Sequence, residues 1–428
     1  MSGGALVTLL VSAVLLTATV PIANWLARQE GDERLFWLLM VSTAVRFVCT
    51  VLQTVVVAHA YGGVADFNGY VSHGAAIAGS FHSGHFSLGA DRTLGNEAVD
   101  VVTGMVFLVV GIHQSAAFVV FSWFAMLGSV AFYRAFRIGA PGFDSFRYFI
   151  LLFFLPSLLF WTAAVGKEAI MTLLLGVGAN GAARLLARRP GGILRLVVGE
   201  GLAAVVRPDE AGLLFAALFV GFLLRRRRVP GPAGAAGKVV FLALGAVAGF
   251  FLLRLAAHSA HVGTLSLNGI THALNKTAAN NSGTGAGYGS SYRWSAGITH
   301  YPQDVYTVLF DPLPFQAHSL TQLLASGENT VILLVILGSW RRLRQLPRAV
   351  VSHPYVAMAF VYTVVFLYIF AALGNLGLVD RERTLLLPLL AVLLSAPRYR
   401  RPQEAAADEA AAEGGAVNRL DAAVPAMR

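Results

Sequence analysis

Apolar runs about as long as a membrane is thick recur along almost the whole chain, and they restrict its fold more than any other feature. The first run, residues 5–25, is about the 20 residues that an α-helix needs to cross the hydrocarbon core. Similar runs continue to residue 396, and only 13% of all residues are charged, against about 25% in soluble proteins. The composition therefore predicts an all-α, polytopic integral membrane protein and excludes soluble enzymes, fibrous proteins and disulfide scaffolds.

The lengths of these runs predict about 11 to 13 transmembrane or re-entrant helices. The candidate spans are residues 5–25, 35–61, 101–112, 115–133, 148–165, 169–183, 193–206, 211–224, 239–253, 329–340, 355–379 and 384–396. We expect one polytopic membrane domain, residues 1–398. Residues 399–428 are rich in alanine and poor in large apolar side chains, which predicts a disordered cytoplasmic tail.

Clusters of arginine next to the apolar runs predict the orientation of the chain. They lie at residues 184–189, 225–228, 341–344 and 398–401, and short cytoplasmic loops of membrane proteins carry such an excess of positive charge. The net charge of +10 therefore indicates orientation in a membrane and no nucleic-acid partner. The segments predicted to lie outside are residues 166–168, 207–210, 258–328 and 380–383, of which 258–328 forms a long extracytoplasmic loop. Charge counting leaves the side of residues 61–97 open.

Asp66 and Tyr70 lie one helical turn apart at the start of an amphipathic stretch. A carboxylate held at a membrane surface is suited to act as a general base or as a metal ligand. The pattern also fits a simpler interpretation, in which Asp66 only caps a short helix. Both interpretations stay open at the level of sequence.

The scarce charges of the later outer segments form three short groups. Their members are Lys167 and Glu168, Arg207 and Asp209, and Arg381 and Arg383. Positively charged residues are normally rare in the outer segments of membrane proteins. Their presence here fits an anionic ligand, because a phosphate accepts several charge-assisted hydrogen bonds at once. Snorkelling side chains and local ion pairs would explain the same residues without a ligand. The histidines show no metal-ligand spacing, no cofactor is indicated, and participation of a divalent metal is left open.

The order of several motifs resembles that of the GT-C-type membrane glycosyltransferases and related actinobacterial polysaccharide polymerase-like proteins. The motifs are D-x3-Y from Asp66 with A-x-I-x-G-x-F, G-I-H-Q-S from Gly111, Pro-Ser followed by Lys167-Glu168, Arg207-Pro, and Pro-Leu-Pro-Phe from Pro312. The resemblance covers residues 35–396. It implies sugar transfer from a polyprenyl-phosphate donor at the outer face, with Asp66 at the active site and Lys167, Arg207, Arg381 and Arg383 at the donor phosphate. Two departures are that the early loop follows the second helix and that its acid stands alone.

The predicted function is a membrane glycosyltransferase or polymerase that uses a polyprenyl-phosphate-linked sugar for cell-envelope saccharide synthesis in the bacterial cytoplasmic membrane. Its expected partners are the lipid-linked donor, a saccharide acceptor and membrane lipids. One alternative is a lipid-linked saccharide flippase or other secondary transporter, in which Arg46 and the outer charges would line the path. A second alternative is a non-catalytic membrane scaffold. The sequence predicts neither the sugar nor the oligomeric state.

Overall fold

The chain forms a bundle of α-helices in the computed structural model, which describes residues 3–60, 63, 65–85, 94–225, 243, 245, 249, 294 and 298–398. None of these residues lies in a β-strand. Six of the described helices are long and apolar enough to cross a membrane. The protein is therefore an all-α, multi-pass membrane protein, as the apolar runs predict.

The first ten helices run from residue 3 to residue 223. They are α1 (Gly3–Glu30), α2 (Arg34–Ala60), α3 (Asp66–His82), α4 (Asn96–Val110), α5 (Gln114–Gly139), α6 (Ser145–Phe154), α7 (Pro156–Phe160), α8 (Lys167–Leu186), α9 (Gly192–Val206) and α10 (Pro208–Leu223). The predicted span 148–165 is interrupted at Pro156, which begins α7, because proline has no N–H to continue the hydrogen bonding of α6.

Six further helices lie in the C-terminal part. They are α11 (Tyr301–Phe310), α12 (Leu320–Gly338), α13 (Trp340–Leu343), α14 (Leu346–Ser352), α15 (Pro354–Phe370) and α16 (Leu376–Leu394). The last helix corrects one prediction, because residues 380–383 lie inside α16 and not in a loop before it. Their charges end the apolar run in the sequence, but they do not end the helix. The predicted span 239–253 falls almost entirely outside the described residues, as do residues 258–293 of the predicted loop and the predicted tail.

Against the prediction of about 11 to 13 helices, six helices in the described part of the chain are both long and apolar enough to cross a membrane. Others are shorter, as α6, α9 and α10 illustrate. A short helix crosses the apolar core only with a tilt or with the support of its neighbours.

Helices α5, α8 and α9 pack closely because glycine occupies their crossing points. A Cβ atom added to Gly128 of α5 would overlap the backbone at Thr172 of α8, and one added to Gly199 of α9 would overlap the backbone at Gly178. Small residues allow helix backbones to approach each other, which is the usual basis of packing inside a membrane. Helix α8 of this three-helix unit carries charged residues at both ends, Lys167 and Glu168 in its first turn and Arg184 in its last turn.

Arg46 lies in the middle of α2 and is fully buried. Its guanidinium donates hydrogen bonds to the Leu158 carbonyl at 2.8 Å, to Thr162 Oγ1 at 3.0 Å and to Ser129 Oγ at 3.2 Å. A charge at this depth is costly unless it faces other helices. The structure shows that it does face them, since all three partners lie on or next to α5 and α7.

Arginine side chains hold the C-terminal end of α16. Arg147 Nε donates to the Leu394 carbonyl at 3.0 Å, and Arg342 Nη1 donates to the Ala396 carbonyl at 2.7 Å. Arg342 also forms an ion pair of 2.7 Å with Asp144, which caps the N-terminus of α6. Cations suit this position because the last carbonyls of a helix have no partner within the helix and carry partial negative charge.

Candidate functional site

The first turns of α3, α8 and α10 meet the first half of α16 at one end of the bundle, where they bring seven charged residues together. We refer to this group as the charge cluster; it consists of Asp66, Lys167, Glu168, Arg207, Asp209, Arg381 and Glu382. Six of the seven are site residues predicted from the sequence. The seventh, Glu382, was not predicted as a site residue, although its position beside Arg381 and the scarcity of charge in the chain were available signals.

Arg381 is the centre of the charge cluster. Its Nη1 donates a hydrogen bond of 2.6 Å to Asp66 Oδ2, and its Nε lies 2.9 Å from Glu168 Oε1. Its Nη2 lies 3.7 Å from Glu382 Oε1. One guanidinium therefore joins α3, α8 and α16, which the fixed fork of an arginine can do and the single ammonium of a lysine cannot.

Arg207, between α9 and α10, is the second cation of the cluster. It forms an ion pair with Glu382 and a longer contact of 3.5 Å with Asp209. Burial lowers the pKa of the Arg207 guanidinium, but Glu382 and Asp209 raise it by more, so that it lies well above its usual value. Glu382 contacts both cations, Arg207 through Oε2 and Arg381 through Oε1, so the two arginines share one carboxylate.

Lys167 is the first residue of α8 and the third cation. It is half-buried and interacts electrostatically with Arg207, Glu382 and Glu168. Within the described part of the chain, its ammonium makes neither a hydrogen bond nor an ion pair. Of the three cations in the cluster, Lys167 is therefore the one that has no carboxylate partner among the described residues.

Tyr70 lies one turn after Asp66 on α3 and is buried against the cluster. Its hydroxyl donates to Asn96 Oδ1 of α4 at 3.1 Å. Burial raises the pKa of the Tyr70 phenol, and the nearby carboxylates Glu168 and Asp66 raise it further. The hydroxyl consequently stays protonated and connects α3, which carries Asp66, to α4.

The carboxylates of the cluster differ strongly in exposure. The side chains of Asp66 and Asp209 are 62% and 52% exposed, whereas those of Glu168 and Glu382 are 8% and 7% exposed. The two glutamates therefore form a buried layer beneath the guanidinium groups, and the two aspartates cover these groups from the open side. With three cations and four carboxylates, an incoming anion has to take the place of an exposed aspartate.

Arg383 lies apart from the charge cluster, although the sequence groups it with Arg381. Its buried guanidinium contacts Asp380 at 3.2 Å, donates to Asn329 Oδ1 at 2.7 Å and lies 3.8 Å from Glu328. The physical reason is that residues 380–383 are helical. Each residue of a helix is rotated by about 100° from the previous one, so that Arg381 and Arg383 point to nearly opposite faces of α16.

A mainly apolar cavity of about 440 Å³ opens on this second face of α16. We call it the side cavity. Its walls come from α2, α7, α12 and α16, and include Leu52, Trp161, Leu324, Glu328 and Asp380. Asp380 directly precedes Arg381, so the side cavity and the charge cluster lie on either side of the same helical turn.

The architecture and this cluster define the class of the protein as a multi-pass helical membrane protein with an ion-paired site at the ends of its helices. Neither a protein-family model, nor a curated protein, nor a solved structure matches the chain. In the described ranges, no three or more His, Cys, Asp or Glu side chains are grouped so that they could hold a metal ion.

Proposed function

We propose that the charge cluster is the active site of a GT-C-type membrane glycosyltransferase, or of a polymerase of that type. The substrate would be a sugar on a polyprenyl phosphate, used for cell-envelope saccharides at the outer face of the bacterial cytoplasmic membrane. The observation that carries the proposal is the contact between Asp66 and Arg381. It places an exposed carboxylate, which can accept a proton, on a guanidinium that can bind a phosphate.

Donor binding would exchange one anion for another at Arg381. The donor phosphate takes the place of Asp66 on Arg381 Nη1, while Glu168 still holds Nε from the buried side. Lys167 then adds a second positive charge without breaking an ion pair of its own. The exchange frees the carboxylate of Asp66 at the moment when the donor is in place, which couples donor binding to the availability of the base.

In the transfer step, the acceptor hydroxyl oxygen forms a bond to the anomeric carbon of the donor sugar. The bond between that carbon and the phosphate oxygen breaks, and the electron pair of this bond leaves with the polyprenyl phosphate. Asp66 receives the hydroxyl proton, and Arg381 and Arg207 stabilise the charge that develops on the leaving phosphate. Tyr70 acts as a positioning residue, because it fixes α3 against α4.

The side cavity supports a lipid-linked donor. Its walls are mainly apolar, and Asp380 connects them to the turn that carries Arg381. A prenyl chain in this cavity would lie within one helical turn of Arg381, in a mainly apolar environment. The hydrocarbon would then contribute binding energy in proportion to the apolar area that it buries.

The burial of Arg46 weakens the alternative of a transporter. In that alternative Arg46 lines the path of the substrate, whereas the structure shows its guanidinium bonded to three oxygens of α5 and of the α7 region. A scaffold without activity would not need an exposed carboxylate above an arginine that is already paired twice. The transfer reaction accounts for both features.

The test compares host cells that lack the chain with cells that express it as wild type, as Asp66→Asn or as Asp32→Asn. Asp32 is the matched control, because it forms a surface pair with Arg34 between α1 and α2. We expect Asp66→Asn to abolish saccharide synthesis at normal protein level, and the donor lipid to accumulate at the outer face. Asp32→Asn should behave as wild type.

Two outcomes would contradict the proposal. Normal synthesis with Asp66→Asn would remove the base and leave Asp66 with only a structural role in its ion pair with Arg381. A role as helix cap is already excluded, because the N-cap of α3 is Ala65 and no side chain caps this helix. Accumulation of the lipid-linked saccharide at the inner face, in cells that lack the chain, would indicate transport as the missing step. The sidedness of the accumulated lipid is measured by its accessibility to an impermeant periodate reagent in intact cells.

A further inference from the structure

Three arginines lie together at the end of the bundle opposite to the charge cluster. Arg134 belongs to the last turns of α5, Arg184 to the last turn of α8, and Arg195 to the first turn of α9. Their guanidinium groups are close enough for Arg134 to be repelled by the other two. Helix α8 separates them from the charge cluster by its 20 residues, which is about 30 Å.

Local contacts orient each of these arginines. Arg184 Nη1 donates to the Pro190 carbonyl and Arg195 Nη1 to the Gly191 carbonyl, both at 2.9 Å. Arg134 lies over the ring of Trp25, with its central carbon 4.5 Å from the ring centre. All three side chains are half-buried, and the contact with Trp25 also connects Arg134 to α1.

No carboxylate in the described part of the chain pairs with any of the three. Arg184 Nε is buried and has no hydrogen-bond partner in that part either. The contrast with the other end is clear, because Arg207 and Arg381 each contact two or more carboxylates there. Three neighbouring cations that have no carboxylate partner among the described residues, with one unused buried donor, are suited to bind an anion.

We propose that Arg134, Arg184 and Arg195 form a binding site for the phosphate group of an anionic phospholipid. The position favours a lipid over a dissolved anion. Trp25 next to Arg134 is the type of aromatic residue that lies at the level of lipid headgroups, and basic pockets between helices at the cytoplasmic side bind acidic headgroups. The exposed apolar side chains Ile193 and Leu194 of α9 provide a surface for the acyl chains.

The experiment measures phospholipid binding to the purified full chain by native mass spectrometry in detergent, with phosphatidylglycerol and phosphatidylcholine as probes. The variant combines R134Q, R184Q and R195Q. The matched control combines R341Q, R344Q and R348Q, three exposed arginines at the same end of the bundle. We expect the first variant to lose roughly 100-fold in affinity for phosphatidylglycerol, and the control to lose less than about threefold.

Three results would overturn the proposal. The first is wild-type binding of phosphatidylglycerol by the R134Q/R184Q/R195Q variant. The second is equal binding of phosphatidylcholine and phosphatidylglycerol by the wild type. The third is displacement of the lipid by millimolar inorganic phosphate, which would assign the site to a dissolved anion. Should the triple variant fail to fold, Arg195→Gln alone is used, for which we expect a loss of about fivefold.

Discussion

Asp66 and Arg381 are 315 positions apart in the sequence, yet Arg381 Nη1 lies 2.6 Å from Asp66 Oδ2. The contact connects a surface helix that follows the second transmembrane helix to the last helix of the described chain. A base that is exposed, but released only when another anion arrives at Arg381, suits a reaction in which premature hydrolysis of the donor has to be avoided.

The first prediction concerns the fork geometry of Arg381. Arg381→Lys keeps the charge but provides one ammonium for three carboxylates, so we expect a fall in transfer rate of roughly 10- to 100-fold, equivalent to one lost charge-assisted hydrogen bond. The measurement is release of polyprenyl phosphate in proteoliposomes. Arg34→Lys, an exposed arginine, is the control and should keep the wild-type rate. Equal rates for both variants would remove Arg381 from the donor site.

The second prediction concerns the side cavity. Leu324 lines it, whereas its neighbour Leu323, which is about equally exposed on the same helix, does not. Leu324→Trp should fill part of the space and raise the KM for the lipid donor by about tenfold or more, because the prenyl chain would lose apolar contact area. Leu323→Trp should leave the KM unchanged. An unchanged KM in both variants would show that the chain binds elsewhere.

The third prediction concerns the stability provided by Arg383. Arg383→Met would leave Asp380 and Glu328 buried without their cation, and we expect a loss of about 3–5 kcal/mol in the free energy of unfolding. The exposed Arg34 provides a matched comparison, since Arg34→Met should cost less than about 1 kcal/mol. Thermal unfolding in detergent measures both. A small effect of Arg383→Met would contradict the stabilising role of Arg383 in this buried ion-paired group.

The fourth prediction uses two glycines of α9. Gly199→Ala would place a methyl group against the backbone at Gly178, so we expect a loss of about 1–3 kcal/mol. Gly201→Ala meets no atom within 4 Å and should stabilise α9 by about 0.5–1 kcal/mol. Opposite shifts in the unfolding temperature would confirm the close packing of α8 and α9. Shifts of the same sign would contradict it.

The fifth prediction is the orientation of the chain in the membrane. In a Cys49→Ala background, His300→Cys should react with an impermeant maleimide in intact cells, because it lies in the predicted outer segment 258–328 and is exposed. Arg348→Cys should react only after permeabilisation. The reverse pattern would place the charge cluster at the cytoplasmic face and would be incompatible with transfer at the outer face.

The sequence predicts which residues of the candidate site to consider because charges are scarce in an apolar chain. Lys167, Arg207 and Arg381 could be selected by this criterion alone, and the structure places all three in one cluster. The pairing between helices was not predictable, since local patterns contain no information on which helix ends meet. The pairing of Glu382 with Arg207, which lies far away in the sequence between α9 and α10, could not be predicted for this reason.

The sequence-based grouping of Arg383 with Arg381 was wrong because the start of the last helix was predicted too late in the chain. Hydropathy places the start of the last span at residue 384, because the preceding charges lower the local average. Intramolecular ion pairs offset the cost of burying those charges, so α16 begins at Leu376. Once the segment is helical, the rotation between neighbouring residues separates Arg381 from Arg383. An error in one helix boundary therefore became an error in the composition of the site.

The two arginines that hold the C-terminal end of α16 have a consequence for its motion. Arg147 and Arg342 bind the carbonyls of Leu394 and Ala396, while Arg381 is bound at the other end, about 20 Å away along the axis. A helix fastened at both ends does not slide along its own axis, so the height of Arg381 relative to the neighbouring helices is constant. Under the proposed function, a donor lipid has to bring its phosphate to that height, and a donor that cannot do so would be rejected before its sugar is recognised.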